Sequence, residues 1–211
     1  MSKFKHIAKL QFITVDHPTI SHADQAIRAY NAGCKWVQLR MKTASEEEIE
    51  AEIYKILPVA NAHSSILLIN DHVSLALKTG AHGVHLGKSD ITPVVARQLL
   101  GFDFIIGGTA NTFEDVLHLI SNGVDYIGLG PFRFTSTKKK LSPILGLEGY
   151  QSIFQKIENA DIHFPIVAIG GILLKDLPAL QDIGIQGVAL AGAILENENI
   201  ESNIQSFQQF I

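Results

Sequence analysis

Short apolar runs, each of five or six residues, recur along the chain at 10–15, 36–41, 66–70, 83–87, 104–108, 126–130, 166–170 and 187–191. Runs of this length, apolar on both alternating faces and rich in Val and Ile, predict strands of a parallel sheet covered on both sides. Between them the apolar positions fall at helical spacing, as in Phe113, Val116, Leu117 and Ile120 behind Thr112. Ser45 with Glu48 three places on predicts a capping box opening another helix. Most segments end at a glycine (Gly33, Gly80, Gly101, Gly123, Gly184), the residue that relieves a helix C-terminus.

Eight strand-helix alternations in 211 residues average about 26 residues per unit, which suits an α/β chain whose eight parallel strands close into a (β/α)8 TIM barrel. The rival, an open doubly wound sheet, normally carries a Gly-x-Gly-x-x-Gly turn after an early strand, and residues 10–17 contain none. No linker, repeat or low-complexity tract divides the chain, so residues 1–211 read as one domain. Connections are short except at about 131–145, after the sixth strand, where Ser, Thr, Lys and two prolines collect. A loop that long in a compact barrel is expected to act as a lid over a substrate, the alternative being a solvated basic turn.

Composition narrows the function classes. With 46% hydrophobic and 18% charged residues and a mean hydropathy of +0.19, the chain buries a large core. A net charge of −4 speaks against a binder of nucleic acid or anionic membrane built on overall charge. The single cysteine, Cys34, excludes an intramolecular disulfide and a multi-cysteine zinc site. The first twelve residues carry cations but no separate apolar stretch, and no window approaches membrane-spanning length. The expectation is a cytoplasmic protein beginning at Met1, with a homo-oligomer left open.

Chemistry concentrates at strand C-terminal ends. Side chains alternate along a strand, so Gln38, Arg40 and Lys42 share one face while Leu39 and Met41 share the other. Two cations and an amide on a strand that should be covered on both faces call for an anion at the barrel mouth or for carboxylate partners nearby. Asn70-Asp71 ends the third run and Asp90 follows the fourth. Neighbouring strands stand about 4.8 Å apart, so both carboxylates reach one rim, there either to pair with Arg40 and Lys42 or to hold Mg²⁺ with phosphate oxygens and waters. Gly170-Gly171 and Ala191-Gly192 follow the seventh and eighth runs, where barrels recurrently bind phosphate through backbone N–H groups. The nine histidines show no metal-protease spacing, although His85 shares a face with Gly83 and Gly87 and is a candidate pocket residue. No Gly-x-Ser-x-Gly elbow is present, and Cys34 reads as buried filler.

Six motifs in register, Val-Gln-Leu-Arg-Met-Lys (37–42), Ile-Asn-Asp (69–71), Gly-Val-His-Leu-Gly-Lys-Ser-Asp (83–90), Tyr-Ile-Gly-Leu-Gly-Pro (126–131), Thr-Ser-Thr-Lys (135–138) and Ala-Ile-Gly-Gly-Ile (168–172), resemble the thiamine phosphate synthase family over about residues 10–196. That resemblance implies a transferase of thiamine biosynthesis joining hydroxymethylpyrimidine diphosphate to hydroxyethylthiazole phosphate, with loss of pyrophosphate and with Mg²⁺ as cofactor. It implies that the pyrimidine diphosphate binds along the stretch from Gln38 through Leu39, Arg40 and Met41 to Lys42, with Asn70, Thr109 and Lys138. Asp71 and Asp90 would ligate the metal. Thr135, Ser136, Thr137, Gly171, Ala191 and Gly192 would receive the thiazole phosphate, and Arg40, Lys42 and Lys138 would stabilise the leaving group in a dissociative reaction needing no protein nucleophile.

The pattern is departed from at three places. Thr109 and Gly192 stand where the family commonly has serine; threonine keeps the hydroxyl, whereas glycine loses one phosphate contact worth about 1 kcal/mol. Arg133 is the third departure and is expected to add a cation to the lid. Two alternatives remain at this point: a thiazole tautomerase of similar fold, against which Asn70, Asp71, Asp90 and Lys138 argue, and a non-catalytic barrel that binds thiamine phosphates to regulate a partner.

Overall fold

A computed structural model describes residues 8–135 and 142–211. Eight parallel strands close into a barrel in the order β1-β2-β3-β4-β5-β6-β7-β8: β1 (Leu10–Ile13), β2 (Trp36–Leu39), β3 (Ile66–Asn70), β4 (Gly83–Leu86), β5 (Ile105–Ala110), β6 (Tyr126–Leu129), β7 (Ile166–Ile169) and β8 (Gly187–Leu190). All eight lie where the apolar runs predict. Closure is made by β1 on β8, with Leu10, Gln11 and Phe12 opposite Val188, Ala189 and Leu190. No helix among the described residues is long and apolar enough to cross a membrane.

Helices α1 (His22–Asn31), α2 (Glu46–Ala62), α3 (Val73–Thr79), α4 (Pro93–Leu100), α5 (Phe113–Ser121), α6 (Gly146–Asn159), α7 (Leu177–Asp182), α8 (Gly192–Leu195) and α9 (Ile200–Gln208) cover the outside. The predicted caps form. Ser45 Oγ accepts from Glu48 N–H, and the Glu48 carboxylate accepts from Ser45 N–H at 2.8 Å, so two orphan donors of α2 are satisfied reciprocally. Thr112 and Asp115 do the same for α5.

Alternation along the strands builds two apolar layers. Phe12, Val37, Leu39, Ile69, Val84, Ile106, Ile127 and Val188 face outward into the layer between sheet and helices. Ile13, Trp36, Ile66, Leu68, Ile105, Tyr126, Val167 and Ala189 fill the barrel from within. The second layer blocks the lower barrel, so the space for a ligand is at the C-terminal mouth. There the strands end at slightly different heights. The run beginning at Trp36 stops pairing at Leu39, opposite Ile69, and Arg40 N–H turns to the Thr14 hydroxyl at 3.1 Å, so Arg40 to Lys42 form a loop. Strand β5 runs further, to Ala110, carrying Thr109 up beside Gly128. Cys34 is fully buried, and burial pushes its thiol up to about 11, which leaves it protonated and inert as expected of filler.

Candidate functional site

A cavity of about 680 Å³ opens at the mouth, lined by Gln38, Arg40, Lys42, Asn70, Asp71, Asp90, Thr109, Thr135, Gly171, Ala191 and Gly192 among others. Apart from Arg133, every polar residue that the sequence places in the site and that lies among the described residues is therefore in one cavity. Leu39 and Met41 are not: they pack into the layer beneath the helices. Ser136, Thr137 and Lys138 lie outside the described residues.

The floor under β2 carries Gln38, only 1% exposed, whose Nε2 has no hydrogen-bond partner among the described residues. An unpaired buried amide donor costs about 1–3 kcal/mol, a cost a ligand acceptor at that spot would remove. Above it, the half-buried Arg40 makes no side-chain hydrogen bond or ion pair among the described residues. Burial lowers its guanidinium from the ordinary arginine value, and Asp71 and Asp16 partly offset this. Asn70 is likewise buried with no side-chain partner among those residues.

The rim carries the acids. Asp71 N–H donates to His85 O at 3.0 Å; the residue sits at a φ of 66° and lines the mouth. Asp90 Oδ2 accepts from Gly87 N–H at 2.6 Å. The two carboxyl groups hydrogen-bond each other, and Lys42 Nζ is paired with Asp71. Burial and the Asp90 carboxyl hold Asp71 above the usual carboxylate range. For Asp90, burial is outweighed by hydrogen bonds from Asp71 and Gly87, which hold it below that range. The two acids thus face each other at the spot where a divalent cation would sit, one held above and one below the usual range. Of the two readings of these acids, pairing accounts for Lys42 and leaves Arg40 without a partner.

On the far wall, residues 131–134 are stapled to the turn after β7. Phe132 N–H and Arg133 N–H donate to Ile169 O and Gly170 O, both at 2.9 Å. Arg133 is not the free lid cation its position suggests. Its guanidinium grips both Asp176 oxygens, at 2.6 and 3.0 Å, and Gly171 O at 2.5 Å. A peptide's N–H points opposite to the carbonyl across it, so this grip turns Ile172 N–H away from Arg133; it and Gly171 N–H have no partner among the described residues. Asp176→Ala is expected to lower stability by about 1 kcal/mol, the worth of a partly exposed bidentate pair. Equilibrium urea unfolding checks this, and an unchanged midpoint would leave the grip without energetic weight.

Sequence reasoning missed Ser89 and Phe134, which join the cavity, the latter 70% exposed beside the mouth. His85, a candidate on its shared face with Gly83 and Gly87, does line it, bonded to Thr109 Oγ1 at 2.9 Å. Lys88 does not line it as a free cation, being paired with Asp115.

The family profile described as thiamine monophosphate synthase matches residues 10–194. A protein of Bacteroides fragilis named thiamine-phosphate synthase is 54% identical over 187 residues, 89% of this chain and 92% of that protein. One of the same name from Flavobacterium johnsoniae is 45% identical over 203 residues, 95% of each. Among solved structures, the thiamine phosphate pyrophosphorylase of Pyrococcus furiosus superposes with a TM-score of 0.83 at 26% identity, covering 96% of this chain and 94% of that one.

Proposed function

The chain belongs to the thiamine monophosphate synthase family, and from that premise we propose that its barrel mouth joins hydroxymethylpyrimidine diphosphate to hydroxyethylthiazole phosphate, releasing pyrophosphate. The observation that carries the site assignment is the convergence of unpartnered Gln38 Nε2, Arg40 and Asn70 on the cavity that also holds the Asp71–Asp90 pair. Buried donors without acceptors fit a substrate that is both heterocyclic and multiply anionic.

In this reading Gln38 donates to a pyrimidine ring nitrogen and fixes the ring over the floor. Arg40, Lys42, Asn70 and Thr109 surround the diphosphate, and Lys138 joins them by resemblance. Asp71 and Asp90 fit Mg²⁺: two carboxylates on one rim are the protein share of an octahedral shell completed by waters and phosphate oxygens. Bound there, Mg²⁺ supplies positive charge to the departing pyrophosphate. The residues' own contribution is a preorganised set of donors that stabilises the leaving group without reorganising. The thiazole phosphate rests on the Gly171 and Ile172 N–H groups, the Ala191-Gly192 turn, and Thr135 with Ser136 and Thr137. The 131–145 loop, acting as a lid, keeps water from the pyrimidine cation until the thiazole nitrogen attacks it. No protein base is needed. A cytoplasmic location belongs to the same proposal.

The test is a coupling assay with both substrates. Thiamine phosphate and pyrophosphate are expected to form in Mg²⁺ and to fall to background in excess chelator. Full turnover in chelator would remove the metal from the mechanism. Isomerisation of a thiazole without coupling would make the chain a tautomerase, and tight binding of thiamine phosphate with neither reaction would make it a regulatory barrel.

A further inference from the structure

Below the cavity floor a line of polar side chains crosses the barrel interior. Gln11 Nε2 donates to the Tyr126 hydroxyl at 3.1 Å, that hydroxyl lies 2.7 Å from His85 Nδ1, and His85 Nε2 lies 2.9 Å from Thr109 Oγ1. Gln11, Tyr126 and His85 are all buried. The chain makes room for them with glycine. A Cβ at Gly107 would stand 2.2 Å from the Tyr126 ring, and one at Gly128 would stand 3.2 Å from His85 Cε1. Trp36 closes the other side edge-on, its ring centroid 4.7 Å from that of Tyr126. Buried polar groups are costly unless connected, and apolar side chains would fill this space without that cost, so the connection itself calls for a role.

We propose that Tyr126 and His85 are positioning residues that hold the Thr109 hydroxyl as a hydrogen-bond donor toward the leaving diphosphate. The direction follows from counting protons. Tyr126 oxygen accepts from Gln11, and burial holds its phenol well above the ordinary tyrosine range, so its proton stays and points to His85 Nδ1. A neutral imidazole that accepts at Nδ1 carries its proton on Nε2. That proton goes to Thr109 Oγ1, leaving the threonine's own proton to point into the cavity that Thr109 lines. A free hydroxyl rotor would have to be turned toward the anion at each turnover; one set in advance costs no reorganisation. The inference rests on the reading above that Thr109 faces the diphosphate.

The experiment is a kinetic double-mutant cycle. Tyr126→Phe keeps the ring against Trp36 and removes only the hydroxyl; it is expected to lower kcat about 10-fold, less than the 10²–10³ typical of deleting an oxyanion donor outright, with KM for the thiazole phosphate unchanged. Thr109→Val is expected to lose at least as much, and the double variant no more than Thr109→Val alone, because Tyr126 acts only through that hydroxyl. Additive losses would overturn the relay and leave Tyr126 a packing residue. Independently of activity, ¹⁵N NMR of the unsubstituted protein, with the His85 ring identified by its loss in His85→Asn, should show a neutral Nε2–H tautomer. The Nδ1–H tautomer would also overturn it. A chain that made no thiamine phosphate at all would fail the functional reading, while the NMR result would still decide the relay.

Discussion

Replacing both Asp71 and Asp90 by asparagine is expected to lower pyrophosphate release about 10³-fold or more at saturating substrates, on the scale by which removing preorganised charge slows such reactions. Asparagine isolates the chemistry better than alanine would. Asp71 sits at φ 66°, a conformation asparagine tolerates and alanine does not, and an amide carbonyl at position 90 can still accept from Gly87 N–H. The substitution removes both carboxylates while volume and backbone stay as they are. Lys42 loses its partner, but its side chain is 44% exposed and stays hydrated at little cost. Melting temperature is therefore expected to remain within a few degrees while Mg²⁺ binding, read by isothermal titration calorimetry, disappears. Turnover near that of the unsubstituted protein would show that these acids do not hold the metal.

The barrel was legible because its signals are local. Apolar runs, capping boxes and the glycines near helix ends act within four residues of themselves, and Gly80 and Gly101 do stand at the C-caps of α3 and α4. The polar set of Gln38, Arg40 and Lys42 was legible from its local spacing as well, although strand alternation places only Gln38, and Arg40 and Lys42 reach the same cavity from the loop after β2. The same spacing placed Leu39 and Met41 away from the cavity, where the structure finds them, while the family pattern counted them with the binding stretch.

What was not legible depends on contacts across the chain. Arg133 finds Asp176 at a separation of 43 residues, and no local rule distinguishes a committed guanidinium from a free one. Tyr126 reads in the sequence as the first residue of an apolar strand. Its polar end meets Gln11 and His85, on strands 115 and 41 residues away in sequence. The signal for it was present in the glycines at 107 and 128, which leave space on inward faces of β5 and β6, but a glycine in a strand also marks a bulge or a bend. Only the register of β4, β5 and β6 shows which side chains take up that space.

The largest expected loss of stability comes from a residue far from the chemistry. Gly83 opens β4 opposite Leu68 and Ile105, and a Cβ there would lie 2.0 Å from Ile105 O and 2.7 Å from Ile105 C and N. These are backbone atoms, so no side chain can rotate away. The β5 backbone cannot retreat freely either, because Ile105 N–H is bonded to His82 O at 2.9 Å. Gly83→Ala must therefore open the β4–β5 ladder at its base, at a cost of about 3 kcal/mol, or a fall in melting temperature of about 10 °C for a chain of this size. Gly80→Ala separates the steric effect from backbone strain. Gly80 has φ 74° and nothing within 4 Å of its Cβ, so it should lose only the αL penalty of about 1 kcal/mol. Thermal unfolding of the two variants side by side decides the point. Equal shifts would mean that the ladder yields at Gly83, and that close strand approach at the base of the barrel is not what selects glycine there.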